Sequence, residues 1–148
     1  MARRDFAFHY PFRVRWSETD AQGIVFNARY LDYADIGITE YWRAAAVLEK
    51  AGAGAFETHV KRATVTYQAP IKPDEMIEVM VRTTGIGNTS ITQMIEIHGH
   101  HDDGRDDLRA EIEMIYVYVD LENHRPRPVP DIVRAIFAAF DAAAEPSV

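Results

Sequence analysis

The chain has no cysteine anywhere in its 148 residues. That excludes disulfides, thiolate metal sites and a cysteine nucleophile together, and it fits a cytoplasmic setting. Long apolar runs are also missing: none approaches the ~20 residues that span a bilayer. The start, "MARRDFAFHYPF", carries two arginines with no apolar stretch behind them, so no signal peptide is expected. Positive charge is scarce, with 16 Lys and Arg against 23 Asp and Glu and a net charge of −7. This disfavours nucleic-acid binding, which needs a basic footprint, but a local cluster can still take an anionic ligand. No linker, repeat, GxSxG, HExxH, Walker or dinucleotide fingerprint occurs. What remains is ordinary for one globular domain over residues 1–148, at 47% hydrophobic and 26% charged.

Periodicity orders the chain. "RVRWSET" (13–19) alternates Val14 and Trp16 against Arg13, Arg15 and Ser17, which predicts a half-buried strand. From Ala28 to about Lys50, Leu31, Ala34, Ile38, Tyr41, Trp42, Ala45 and Leu48 recur at helical spacing, which predicts one long amphipathic helix. Gly37 inside it costs about 1 kcal/mol against Ala, so a close approach by another backbone is expected there. "KAGAG" stops the helix. Four alternating runs follow, at 59–69, 75–86, 90–99 and 106–120, with hairpin signals at "GNT" and "HHDDGRD". A helix from Asp131 to Ala144 closes the chain. Short turns make consecutive strands antiparallel, so the fold class is α+β: a long helix on a curved five-stranded antiparallel sheet, plus a short C-terminal helix.

One stretch concentrates chemistry. In "SETDAQGIVFNARYLDYAD" (17–35) the carboxylate of Asp20 precedes a turn glycine, Gly23, and a helix start near Asn27, a candidate N-cap. Asp20 on its spacing alone reads as a loop aspartate satisfying local N–H groups. Gly23 is a turn glycine or one that lets a ligand approach the backbone.

The pattern Glu18-Thr19-Asp20, Gly23, Val25, Asn27, Tyr30, Tyr33 resembles the signature of hotdog-fold acyl-CoA thioesterases of the 4-hydroxybenzoyl-CoA thioesterase type. "VTYQAPIKPDEMIEV" and "YVDLENHRPRPVPDIVRAIF" resemble that family's later landmarks, so the likeness runs nearly the whole chain. It implies a hotdog fold, Asp20 as the catalytic carboxylate, and a backbone N–H near Asn27 for the thioester oxygen. It also implies a homodimer or homotetramer with active sites between subunits. No cofactor follows beyond coenzyme A as part of the substrate. Two departures stand out: many relatives carry His where this chain has Asn27, and the Gly87-Asn88-Thr89 turn lacks the Arg or Lys that often meets the CoA phosphates. Lys61, Arg62, Arg82, Arg125 and Arg127 are then the candidate phosphate ligands.

Hydrolysis of a thioester needs a base or nucleophile and a holder for the oxyanion. Helix N-termini offer unpaired N–H groups and a positive dipole end. Asp20 could attack directly or activate water, and sequence leaves both open. Thr64 and Ser90 are candidates for a pantetheine channel, and Val25 and Tyr30 for substrate contact, though Tyr30 and Tyr33 read foremost as packing residues. Glu40 and Glu49 are noted because a related branch uses a helix glutamate. "HGHHDD" (98–103) has metal-ligand types, but it falls at a predicted hairpin tip with its histidines on opposite faces, and no metal is expected. A dehydratase would want a His near the helix, and none lies between His9 and His59. A non-catalytic acyl-CoA-binding or assembly protein, or a thioesterase acting on acyl carrier protein, remain the alternatives. Net negative charge disfavours an acidic carrier.

Overall fold

A computed structural model describes residues 1–52 and 56–144. The elements are β1 (Phe8–Arg13), α1 (Arg29–Ala45), α2 (Val47–Ala51), β2 (Thr58–Tyr67), β3 (Met76–Ile86), β4 (Ser90–Gly99), β5 (Leu108–Asp120), β6 (Arg125–Pro126) and α3 (Asp131–Asp141). All strand pairings are antiparallel, in the order β1-β3-β4-β5-β2, with the short β6 on the end of β5. The chain has the hotdog fold that its sequence resembles: a long helix against a curled five-stranded sheet, with a short C-terminal helix.

Alternation decides the faces. Ile77, Val79 and Val81 of β3, Ile91, Ile95 and Ile97 of β4, and Ala110 and Ile112 of β5 are buried under α1. The helix answers with Tyr30, Tyr33, Ala34, Gly37, Ile38, Tyr41 and Ala45. Trp42 reaches the sheet through Nε1–H to the buried Gln93 (3.2 Å). Gly37 does mark a close approach, but to side chains, not backbone: a Cβ there would overlap Cγ1 of Val79 and press on Val81. Gly37→Ala is therefore expected to destabilise. The helix-propensity gain of about 1 kcal/mol is outweighed by overpacking of roughly 1–3 kcal/mol or more, because a buried β-branched neighbour has no rotamer to retreat to. A drop of a few degrees in Tm, read by calorimetry, checks it.

Three expectations shift. The first strand is Phe8–Arg13, not 13–19; Val14 is buried, but Trp16–Glu18 forms a 3-10 turn and Trp16 is 73% exposed. The long helix breaks at Ala46, whose φ of 55° is left-handed, so that Val47 turns into the core. Its stop in "KAGAG" falls partly on residues 53–55, outside the described residues. Leu31 and Leu48, on the apolar stripe by periodicity, face outward at 42% and 57% exposure.

The outer sheet face is not bare. The N-terminal segment crosses it and buries Glu78, Glu96 and His98. Arg3 grips Glu78 at 2.6 Å and donates to the Gly104 carbonyl at 2.9 Å, and Arg82 donates to the Asp5 carbonyl at 2.7 Å. Buried charges need such partners.

Candidate active site

The loop bearing Asp20 is a small closed hairpin. Thr19 and Val25 form an antiparallel bridge. Asp20 N–H donates to the Ile24 carbonyl (2.9 Å), and Gly23 N–H to the Asp20 carbonyl (3.0 Å). Gly23 has φ +75° with open space where a Cβ would stand, so backbone conformation alone accounts for this glycine. Asp20 is half-buried, and its Oδ1 accepts Gln22 N–H at 2.8 Å, an Asx turn. No second donor engages its carboxylate among the described residues.

The returning arm leads directly into α1. Val25 N–H donates to the Ile71 carbonyl (2.8 Å), and Phe26 N–H to the Glu18 carbonyl (3.0 Å). Glu18 Oε1 in turn accepts the Tyr33 hydroxyl at 3.0 Å, tying the loop's first arm to the helix. The Asn27 side chain is not a cap; the N-cap position falls to Ala28, which has none to offer. Consequently the Asn27 and Ala28 N–H groups meet no backbone carbonyl among the described residues. They stand at the mouth of α1, whose own first donors, Arg29 and Tyr30 N–H, turn back to the Phe26 (2.9 Å) and Asn27 (3.4 Å) carbonyls.

One contributor escaped the sequence reading. Tyr67, the last residue of β2, donates its hydroxyl to the Asn27 carbonyl at 2.9 Å. The Asn27 carbonyl and the Ala28 N–H share one rigid peptide plane, so holding the first aims the second. The Tyr67 ring meets Tyr30 edge-on at 4.9 Å. The only sequence signal was an aromatic before "QAP", which carries no role by itself. Tyr30 and Tyr33 are floor residues, 3% and 0% exposed. Burial raises both hydroxyls above the usual tyrosine range, so they stay neutral.

A charged clamp underlies this floor. Arg109 donates to the Pro70 carbonyl (2.9 Å), to both oxygens of Glu75 (3.0 and 2.5 Å) and to both of Asp107 (3.1 and 2.8 Å). Its own carbonyl accepts Gln68 and Ala69 N–H. The segment it pins includes Ile71, whose carbonyl holds Val25.

The other sequence candidates are dispersed. Val25 is 2% exposed and belongs to the core. Lys61, Arg62 and Thr64 are exposed on β2, with a bulge between Val60 and Arg62. Ser90 pairs with Val117 of β5, whereas Tyr67 pairs with Ala110, so Ser90 stands about 24 Å along the sheet from Tyr67. Arg125, paired with Asp120, lies at that same far end. Arg127 covers the Tyr118 ring at 4.7 Å. The "HGHHDD" histidines go to separate carboxylates: His98 to Glu96 (2.9 Å), His100 to Glu78 (3.4 Å) and His101 to Asp107 (2.7 Å). Among the described residues, no three His, Cys, Asp or Glu side chains are grouped to hold a metal ion.

Comparison with known proteins settles the family. The model of the thioesterase-like superfamily matches residues 14–137. The chain belongs to the thioesterase-like superfamily. It is 32% identical over 133 residues to the acyl-CoA thioester hydrolase YbgC of Escherichia coli, covering 88% of this chain and 95% of that one. A thioesterase from Thermus thermophilus, solved with coenzyme A and zinc, superposes with a TM-score of 0.77 at 25% identity, over 93% of this chain and 97% of that one. A Pseudomonas aeruginosa protein superposes with a TM-score of 0.80 at 24% identity over 94% of both chains, which shows the fold alone. For this thioesterase, Asp20 and the opening of α1 are the features to which a reaction must be fitted.

Proposed function

We propose that this thioesterase hydrolyses an acyl-CoA ester to the free acid and CoA. The observation that carries the reading is one loop with two ends. A half-buried carboxylate with spare acceptor capacity sits on one arm, and the other arm opens into α1 through Asn27 and Ala28, whose N–H groups meet no backbone acceptor among the described residues. The name of the Escherichia coli relative supports the same substrate class.

In this reading Asp20 attacks the thioester carbonyl, or removes a proton from the water that does. Negative charge moves to the carbonyl oxygen, where the Ala28 or Asn27 N–H and the dipole of α1 receive it. Collapse breaks the C–S bond and releases CoA as its thiol or thiolate. The nucleophilic route first leaves an anhydride on Asp20, which water then cleaves. Tyr67 contributes by fixing the peptide that aims the donor.

The test is thiol release from short, long and aromatic acyl-CoAs. Activity on at least one supports the reading; none on any CoA ester would overturn it and favour a non-catalytic acyl-CoA-binding role. Within the active set, Tyr67→Phe should lower kcat about tenfold with KM little changed. That is less than the 10²–10³ for losing an oxyanion donor outright, because the donor stays and only its aim relaxes. Tyr67 is 51% exposed, so the fold does not depend on it.

The active assembly, in the same reading, contains two or more copies. Strand β2 is a ten-residue edge, exposed along nearly its whole length. Beside it Leu31, Leu48 and Val60 edge a groove of about 450 Å³ that also includes Trp42, Met114 and Tyr116. Long uncovered edges with apolar flanks pair with further strands, and a symmetric partner would bring its own Lys61, Arg62 and Thr64 to this seam. No helix among the described residues is long and apolar enough to cross a membrane.

A further inference from the structure

We infer that the groove around Trp16 binds the adenosine-phosphate end of the CoA substrate. This rests on the acyl-CoA reading above and names a site for the nucleotide that the sequence candidates did not supply. Trp16 is the most exposed large apolar residue of the described chain, at 73%. Among the described residues its ring stacks on no other aromatic and its Nε1–H has no acceptor. Such a side chain gains from a planar partner. It borders a groove of about 520 Å³ together with Tyr10, Phe12, Arg13, Arg15 and Asp74.

Two arginines just ahead of Trp16 in sequence, Arg13 and Arg15, line the groove with it. Arg13 is held by Asp74, donating to its carbonyl at 2.6 Å with the carboxylate 3.8 Å away. Arg15 is differently placed. Its side chain is 78% exposed and only loosely paired, 4.0 Å from Glu18. Glu18 Oε1 accepts the Tyr33 hydroxyl and Arg15 N–H, and the guanidinium lies beyond hydrogen-bond distance of Oε2. The Arg15 guanidinium is thus available to fork onto a phosphate, beside an open π-face that accepts a purine. In a chain of net charge −7, this is a local positive spot joined to an aromatic surface. By contrast Arg82 is committed to Asp5, Arg127 covers Tyr118, and Arg125 lies at the far end of the sheet.

The groove also has the right neighbour. The Trp16 carbonyl accepts both Thr19 N–H and the Thr19 hydroxyl, and Asp20 follows. Four residues span at most about 14 Å, within reach of an extended pantetheine arm. A thioester at Asp20 can therefore keep its nucleotide on Trp16.

The experiment compares one acyl group on CoA and on N-acetylcysteamine, which lacks the nucleotide, using the whole chain and Trp16→Ala and Arg15→Glu. Adenosine 3′,5′-bisphosphate serves as inhibitor and as a calorimetric probe. The expected result is a wild-type preference for the CoA ester that falls at least tenfold in either variant, through KM. Bisphosphate affinity should fall in parallel. A preference and an affinity that survive both substitutions would overturn the assignment, as would a wild type with no preference. In that last case, Asp20-dependent hydrolysis of the truncated ester would leave the thioesterase reading standing. If neither ester is cleaved, the thioesterase reading fails, and loss of bisphosphate binding in Trp16→Ala still decides the groove.

Discussion

Asp20→Asn should abolish thioester hydrolysis while leaving the fold intact. A general base or nucleophile contributes on the order of 10²–10⁴ in rate, so kcat should fall about 10³-fold, with KM changing far less. The substitution is a clean one for a physical reason. The structural work of the side chain is a single bond, Oδ1 accepting Gln22 N–H at 2.8 Å, and an asparagine carbonyl makes the same bond. The Asp20 backbone bonds to Ile24 and Gly23 are indifferent to the change. Only the charge and the free oxygen are removed. Circular dichroism and Tm matching wild type, with thiol release lost, assign the role to Asp20. Retained activity at the wild-type level would show that Asp20 serves only its turn.

How much of this was legible in the sequence depends on the range of the interaction. The long helix and the hairpins at Gly87-Asn88-Thr89 and Gly104 follow from period and turn chemistry, which are local; the strand order does not, because β2 pairs with β5 rather than with the β3 that follows it, and β1 pairs with β3. The first strand misled because Pro11 makes "HYPFR" look unlike a strand. Pro11 lies on β1, the edge of the sheet, opposite Glu78, where a missing N–H is tolerated. Meanwhile Val14 and Trp16 mimicked alternation across a 3-10 turn. The candidate site was half legible. Asp20, Gly23 and the start of α1 lie close in sequence, so the acid and the helix start could be read together. Tyr67 and Arg109 could not, since they meet Asn27 and Glu75 across separations of 40 and 34 residues. In "DDLRAEIE" the arginine reads as an ordinary outward charge on a strand. Leu31 and Leu48 mark the same boundary from the other side: periodicity said buried, and the single chain leaves them out.

Arg109→Ala is expected to cost roughly 2–3 kcal/mol of stability at neutral pH and to lower activity with it. Breaking a fully buried ion pair costs 3–5 kcal/mol. The discount follows from exposure, since the side chains of Glu75 and Asp107 are 25% and 30% accessible and water can partly replace the guanidinium. At this chain length the loss corresponds to a Tm lower by about 5–10 °C. The pH dependence separates this account from a packing defect. Arg109 holds Asp107 well below the usual carboxylate range. For Glu75, burial pushes upward, but hydrogen bonds from Arg109 and from the backbone at Lys72 prevail, and it too titrates low. Both carboxylates are more acidic folded than unfolded. Their contribution is therefore complete above the unfolded value near 4 and is lost as pH falls below it toward the folded values. The gap between wild type and Arg109→Ala should accordingly be widest at neutral pH and should narrow as the pH falls below about 4. A gap that is constant with pH would mean that Arg109 acts by volume alone. The loss of activity follows from the chain of contacts: Arg109 fixes Pro70, the adjoining Ile71 carbonyl fixes Val25, and Val25 positions the loop arm that delivers Asn27 and Ala28 to the start of α1.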